Sequence, residues 1–67
     1  MITEIGITAG EIWHYLESNN ETANLEDILK SLDKPRDIVL MSLGWLAREG
    51  HMVLVGEAPN FKVSLRK

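Results

Sequence analysis

The chain of 67 residues contains no cysteine, which excludes disulfide bridges and thiolate zinc sites. No apolar run is long enough to cross a bilayer. The N-terminus also lacks a basic segment followed by an apolar run, the pattern of a secretory signal. These absences predict a cytoplasmic protein without a membrane segment.

The length predicts a single domain over residues 1–67, close to the lower limit at which one hydrophobic core folds unaided. Hydrophobic residues make up 45% of the chain, a generous fraction for its size. Small domains with one core often gain stability by pairing. Size and composition therefore favour a homodimer.

The charge is negative overall, −3, but unevenly distributed. The first 33 residues contain seven acidic side chains and one lysine, whereas the last 34 contain six basic and three acidic side chains. Such asymmetry can indicate a nucleic-acid face. It can equally be an ordinary uneven surface, and charge alone does not separate the two interpretations.

The first two helices are predicted from their start signals. Thr8 and Glu11 have capping-box spacing, and Ile7 and Ile12 have the spacing of a hydrophobic staple, so helix 1 is expected to begin at Thr8. Asn24 is a favoured N-cap for helix 2. The two residues before Asn24 suit a very short strand.

The third helix and the hairpin after it are the best-defined part of the pattern. Pro35 is predicted at the first helical position, and Gly50 ends the helix. Met52–Val55 is apolar on both faces, and the segment from Phe61 to Arg66 alternates apolar and polar residues, as a half-buried strand does. Residues 58–60 supply the predicted turn between these strands.

This order of three helices followed by a C-terminal β-hairpin wing predicts an α+β winged helix-turn-helix. The segment from Leu43 to Met52, with Gly50 near its end, resembles the junction between recognition helix and wing. From Ile5 to Arg66 the chain resembles a family of small bacterial winged-helix proteins catalogued as a domain of unknown function. The resemblance implies a stand-alone, dimeric domain with no established ligand.

The third helix is apolar nearly all round. Val39, Leu43 and Leu46 are predicted to face the other helices. Two flanking strips are also apolar: Leu40, Gly44 and Ala47 on one side, and Ile38, Met41 and Trp45 on the other. A helix of this kind is buried on more than one side, either within the monomer or against a second copy.

The main functional hypothesis is a non-enzymatic homodimeric binding module that associates with protein through the apolar surface of the third helix. Gly44 in mid-helix is expected to permit close approach of a partner. The outward side of Met52–Val55 is expected to contribute. The expected interface residues are Leu40, Met41, Gly44, Trp45, Val53 and Val55.

The alternative hypothesis is a small DNA-binding transcriptional regulator. Lys34 and Arg36 lie at the start of the third helix, where recognition helices meet DNA, and Lys62 and Arg66 could follow a phosphate backbone. The middle of the helix offers no side chain able to form bidentate hydrogen bonds with bases. DNA binding is therefore the less favoured alternative.

Catalysis and metal binding have weak support. His14 lies one helical turn from Glu11 and from Glu17, but a single Glu-x-x-His pair is commonplace on solvated helices. Trp13 and Trp45 are interpreted as core or interface anchors. No catalytic, metal, cofactor or small-molecule site is expected.

Overall fold

The computed structural model of the chain describes residues 2–57 and 61–66. The turn predicted at residues 58–60 lies outside the described residues. Three helices and three strands follow one another as α1 (Ile2–Ser18), β1 (Thr22–Asn24), α2 (Leu25–Leu32), α3 (Arg36–Arg48), β2 (Met52–Val55) and β3 (Lys62–Leu65). This arrangement is α+β, and it confirms the predicted winged helix-turn-helix.

The three strands form one antiparallel sheet in the order β1-β3-β2. In the central strand, Ser64 pairs with Thr22 on one side and with Val53 on the other. The Thr22 and Ser64 hydroxyl oxygens lie 3.1 Å apart, so a hydrogen bond joins two strands on the outer face of the sheet. The predicted hairpin and the predicted short strand before helix 2 are both confirmed.

The prediction that helix 1 begins at Thr8 is wrong. Helix α1 already begins at Ile2, and Thr8 lies in its interior, fully buried. Neither the capping box with Glu11 nor the staple of Ile7 and Ile12 forms, and Ile7 is exposed. Packing explains the longer helix, because its additional turns lie along α3. There the Ser42 hydroxyl oxygen lies 3.2 Å from the Ile5 carbonyl oxygen and 2.7 Å from the Ile38 carbonyl oxygen of its own helix.

The starts of α2 and α3 lie close to their predicted positions. Asn24 occupies the N-cap of α2 with an extended backbone, but its side chain forms no capping hydrogen bond. Pro35 was predicted at the first helical position but is the N-cap, so α3 begins one residue later than predicted. The Pro35 carbonyl oxygen accepts from the Val39 amide at 3.2 Å. A shift of one residue is ordinary for a helix boundary.

The end of α3 confirms the role predicted for Gly50. Gly50 has a φ of +80°, in the left-handed region that glycine adopts without strain. Its amide donates to the Ala47 carbonyl oxygen at 3.1 Å, and the His51 amide donates to the Leu46 carbonyl oxygen at 3.0 Å. This pair of bonds is a Schellman motif, which turns the chain directly into β2.

The hydrophobic core lies between α1, α2, α3 and the inner face of the sheet. Val39, Leu43 and Leu46 are buried, as predicted. Ile38 was placed on an outward strip, and this is wrong because only 7% of it is exposed. The buried side chains that pack together are Ala9, Ile12, Leu16, Leu25, Ile28, Val39, Leu43, Leu46, Met52, Val63 and Leu65.

Candidate interaction surface

The outward side of α3 is apolar and largely open. Trp45 is 49% exposed and Met41 is 39% exposed. Gly44 lies between them, and a Cβ atom added there would have no neighbour within 4 Å. Leu40, the fourth helical residue predicted for an interface, is half-buried and packs against the core. Three of the four predicted helical residues therefore lie at the surface.

Helix α1 contributes the other side of this surface. Gly6 and Gly10 lie one helical turn apart and are both exposed. With α3 they border an open groove of about 360 Å³, here called the helical groove. Its lining consists of Gly6, Ala9, Gly10, Trp13, Trp45, Leu46 and His51. A neighbouring hollow of about 340 Å³ is lined by Ile2, Ile5, Gly6 and Trp45. Trp45 thus stands between two apolar concavities.

His51 lines the helical groove and contacts α1. Its ring meets the Trp13 ring edge-on, with centroids 5.8 Å apart and planes at 88°. The contact brings the turn between α3 and β2 against α1. Because His51 lines the groove and immediately precedes Met52, the groove adjoins the start of strand β2.

Strand β2 is exposed along most of its length. Only Met52 is buried, whereas Val53 and Leu54 are each 40% exposed and Val55 is 56% exposed. The predicted interface residues Val53 and Val55 thus lie on the surface. Leu54, which was not predicted, lies there with them. The strand contains no charged residue.

The four candidate DNA contacts differ in their exposure to solvent. Lys34 is half-buried, and its Nζ lies 3.6 Å from Oε1 of Glu11 on α1. Arg36, Lys62 and Arg66 are exposed. The structure therefore leaves three of the candidate cations facing solvent and directs the fourth toward an acidic side chain.

The exposed stripe of α3 has few side chains that can recognise DNA bases. Met41 and Gly44 occupy its middle, and neither side chain can donate or accept bidentate hydrogen bonds. Asp37 lies on the same stripe, in the first helical turn. Its Oδ1 accepts from the Ile38 amide at 3.0 Å, which suits the helix N-terminus but opposes a phosphate.

The polar residues around His14 do not converge. His14 Nδ1 lies 3.4 Å from Glu17 Oε1, and both side chains are well exposed. Glu11 is directed instead toward Lys34. Among residues 2–57 and 61–66, no group of three or more His, Asp or Glu side chains is arranged to hold a metal ion.

The contribution of α1 to this surface was missed from sequence. Placing the helix start at Thr8 left Gly6 outside the helix and Ile2 unassigned. The spacing of Gly6, Gly10 and Trp13, four and then three residues apart, is a helical pattern that continues upstream of Thr8. That spacing was the available signal.

Fold and surface together define a winged helix-turn-helix domain. The family described as Winged helix-turn-helix domain (DUF2582) matches residues 1–65, and the chain belongs to that family. An uncharacterized protein of Methanocaldococcus jannaschii is 34% identical to the chain over 64 residues, covering 94% of this chain and 91% of that protein. No solved structure matches the chain.

No helix in the described part of the chain has both the length and the apolar character needed to span a membrane.

Proposed function

We propose that this domain is a non-enzymatic binding module that forms a homodimer through the outward apolar side of α3 and the adjoining helical groove. The observation that carries the proposal is Trp45. It is 49% exposed on a domain whose other tryptophan is partly buried against the core. Tryptophan at the centre of an apolar surface is a common anchor of protein interfaces.

The energy available at this surface supports association. Covering the exposed half of a tryptophan removes roughly 100 Å² of mainly apolar surface, which is worth about 2.5 kcal/mol. A two-fold interface counts this contribution twice, once for each copy. Met41 adds to it from the next turn of α3.

The small residues around Trp45 favour a helix as its partner. Gly6, Gly10 and Gly44 are all open, with no neighbouring atom within 4 Å of an added Cβ. Glycine in a helix interior costs about 1 kcal/mol relative to alanine. Gly6 and Gly10 line the helical groove and Gly44 is open on the outward side of α3, so at all three positions the backbone of a second copy can approach closely.

Charged substitutions on the outward side of α3 test this proposal. Met41→Lys and Trp45→Lys are expected to convert the dimer to folded monomers, because each places a charge in the apolar contact. Ser31→Lys, at an exposed position of α2, is the matched control and is expected to leave the dimer unchanged. Sedimentation equilibrium gives the oligomeric state, and circular dichroism checks the fold.

The proposal fails if wild-type protein is monomeric at hundreds of micromolar. It also fails if both lysine variants remain dimers with the wild-type dissociation constant.

A second candidate function is DNA binding, as for a small transcriptional regulator. It is supported by membership in a winged helix-turn-helix family and by the exposure of Arg36, Lys62 and Arg66. The pairing of Lys34 with Glu11 and the acidic Asp37 on the exposed stripe of α3 oppose it.

An amide NMR titration with mixed-sequence duplex DNA at low salt tests this candidate. DNA binding predicts shifts at Arg36 and Lys62 that fade as salt is added, because phosphate contacts release counterions. An unchanged spectrum would exclude this candidate while leaving the dimer proposal intact.

A further inference from the structure

We propose that strand β2 pairs antiparallel with β2 of a second copy, centred on Leu54, so that two three-stranded sheets become one continuous sheet. This inference rests on the proposed homodimer and specifies how its strands meet. It depends on the backbone of β2, the strand's lack of charge, and the residues at its two ends.

Strand β2 forms one edge of the sheet and pairs only with β3 among the described strands. The Arg66 amide donates to the His51 carbonyl oxygen at 3.0 Å, so His51 and Arg66 form a hydrogen-bonded pair. In an antiparallel ladder, every second opposed pair is hydrogen-bonded in this way. Val53 and Val55 therefore direct their amide and carbonyl groups toward β3. Met52 and Leu54 direct theirs toward the free edge, ready to bond another strand.

The sequence of β2 does nothing to protect this edge. Exposed edges are usually blunted by charged residues, proline or a bulge, and Met52–Val55 contains neither charge nor proline. The opposite edge, β1, is shorter and leads directly into α2. Of the two edges of this sheet, β2 is the one suited to pairing.

A second copy suits this edge because the strand is complementary to itself. In a two-fold antiparallel pair each strand meets its own sequence reversed, and an uncharged strand meets no like charge. His51 precedes β2 and Glu57 follows it, and both are exposed. Reversal therefore brings an imidazole, which donates a hydrogen bond through its ring N–H, toward a carboxylate, which accepts one, on both sides of the axis.

The positions of His51 and Glu57 select the register. Two registers use the outward groups of both Met52 and Leu54. Centring on Leu54 places His51 opposite Glu57 of the second copy, twice. Centring on Val53 instead places His51 opposite Val55 of the second copy, so its imidazole meets no carboxylate. The Leu54-centred register is therefore the one proposed.

The absence of cysteine from the chain makes cross-linking a clean test. In the proposed register, the two copies of residue 54 are directly opposed with Cα atoms about 5.5 Å apart, within disulfide range. Leu54→Cys is expected to give a covalent dimer on mild oxidation. Val53→Cys and Val55→Cys are the matched controls. In each of them the two copies of the cysteine are diagonal neighbours, about 7–8 Å apart, so cross-linking is expected to be at least tenfold slower.

A proline substitution and amide exchange provide a second readout. Leu54→Pro removes an amide that faces the free edge and leaves the ladder to β3 intact. It is expected to raise the dimer dissociation constant about tenfold or more, because each copy loses one inter-strand hydrogen bond. In the wild-type protein, the Leu54 amide is expected to exchange slowly with deuterium and to become fast on dilution to monomer.

The outcomes separate this inference from the homodimer itself. A dimer without cross-linking at residue 54 and with a rapidly exchanging Leu54 amide overturns the β2 pairing and leaves the homodimer standing. Preferential cross-linking of Val53→Cys overturns the register. A wild-type monomer overturns both proposals.

Discussion

The two sides of the α1–α3 pair are both apolar, yet only one is filled from within the domain. On the inner side Ile12, Val39 and Leu43 are buried to 1% exposure or less. On the outer side Trp45 is 49% exposed and Gly10 faces open space. The same two helices thus present one completed apolar contact and one open apolar contact.

The difference lies in the size of the side chains rather than in their polarity. The inner side carries large aliphatic residues that fill the space between helices and sheet. The outer side combines open glycines with Trp45, which leaves concavities beside a projecting ring. A surface of this shape is suited to another helix, and this is why apolarity alone does not distinguish the core of this domain from its proposed interface.

The largest expected effect comes from a cavity-creating substitution on the inner side. Leu43→Ala is expected to lower the free energy of unfolding by about 2–5 kcal/mol, because it creates a cavity in a closed core. Met41→Ala, two residues away on the outer side, is expected to change the stability of the monomer by less than about 0.5 kcal/mol. Urea denaturation of both variants at low micromolar concentration measures the contrast. Equal losses would show that the two sides are packed alike.

The second prediction concerns Thr8, one of two buried polar residues on the inner side. Thr8 is fully buried, and its Oγ1 has no hydrogen-bond partner among the described residues. Thr8→Val keeps the side-chain shape and removes the unbonded hydroxyl, so stability is expected to rise by about 1 kcal/mol. If Thr8 were a helix N-cap, the same change would lower stability by about 1 kcal/mol. Thermal unfolding separates the two signs.

Local rules were sufficient to predict the third helix and the hairpin. Pro35 and Gly50 limit the possible extent of α3, and the alternation from Phe61 to Arg66 fixes which face of β3 is buried. Each signal depends on backbone geometry that a few neighbouring residues determine. The predicted order of elements was therefore correct.

The start of α1 was missed because the cap signal at Thr8 is overridden by a tertiary contact. Thr8 and Glu11 have the spacing of a cap, but the turns before them pack against Ser42 and remain helical. The pairing of Lys34 with Glu11 is likewise a contact between residues distant in sequence. It changes the environment of a candidate DNA contact in a way that composition does not reveal.

The third prediction is a substitution at Gly44 with opposite expected effects on the stability of the monomer and on dimerisation. Gly44→Ala is expected to stabilise the isolated domain by about 0.5–1 kcal/mol, because alanine is the better helix former and meets no neighbour. The same methyl group is expected to weaken the dimer, because it occupies space proposed for the second copy. Ser31→Ala on α2 is the control that changes helix propensity alone. Stabilisation without any change in the dimer dissociation constant would place Gly44 outside the interface.

The smallest effect is expected at the rim, where α1 meets the turn before α3. Glu11→Gln removes the ion pair with Lys34, whose side chains are 43% and 35% exposed, so the change in unfolding free energy is expected to stay below about 0.5 kcal/mol. The loss is expected to shrink further in high salt. Glu17→Gln, which removes the exposed pair with His14, is the control. If Lys34 can contact DNA, Glu11→Gln should strengthen low-salt binding while Glu17→Gln changes it less. Equal changes in DNA affinity for the two variants would show that pairing with Glu11 does not reduce DNA binding by Lys34.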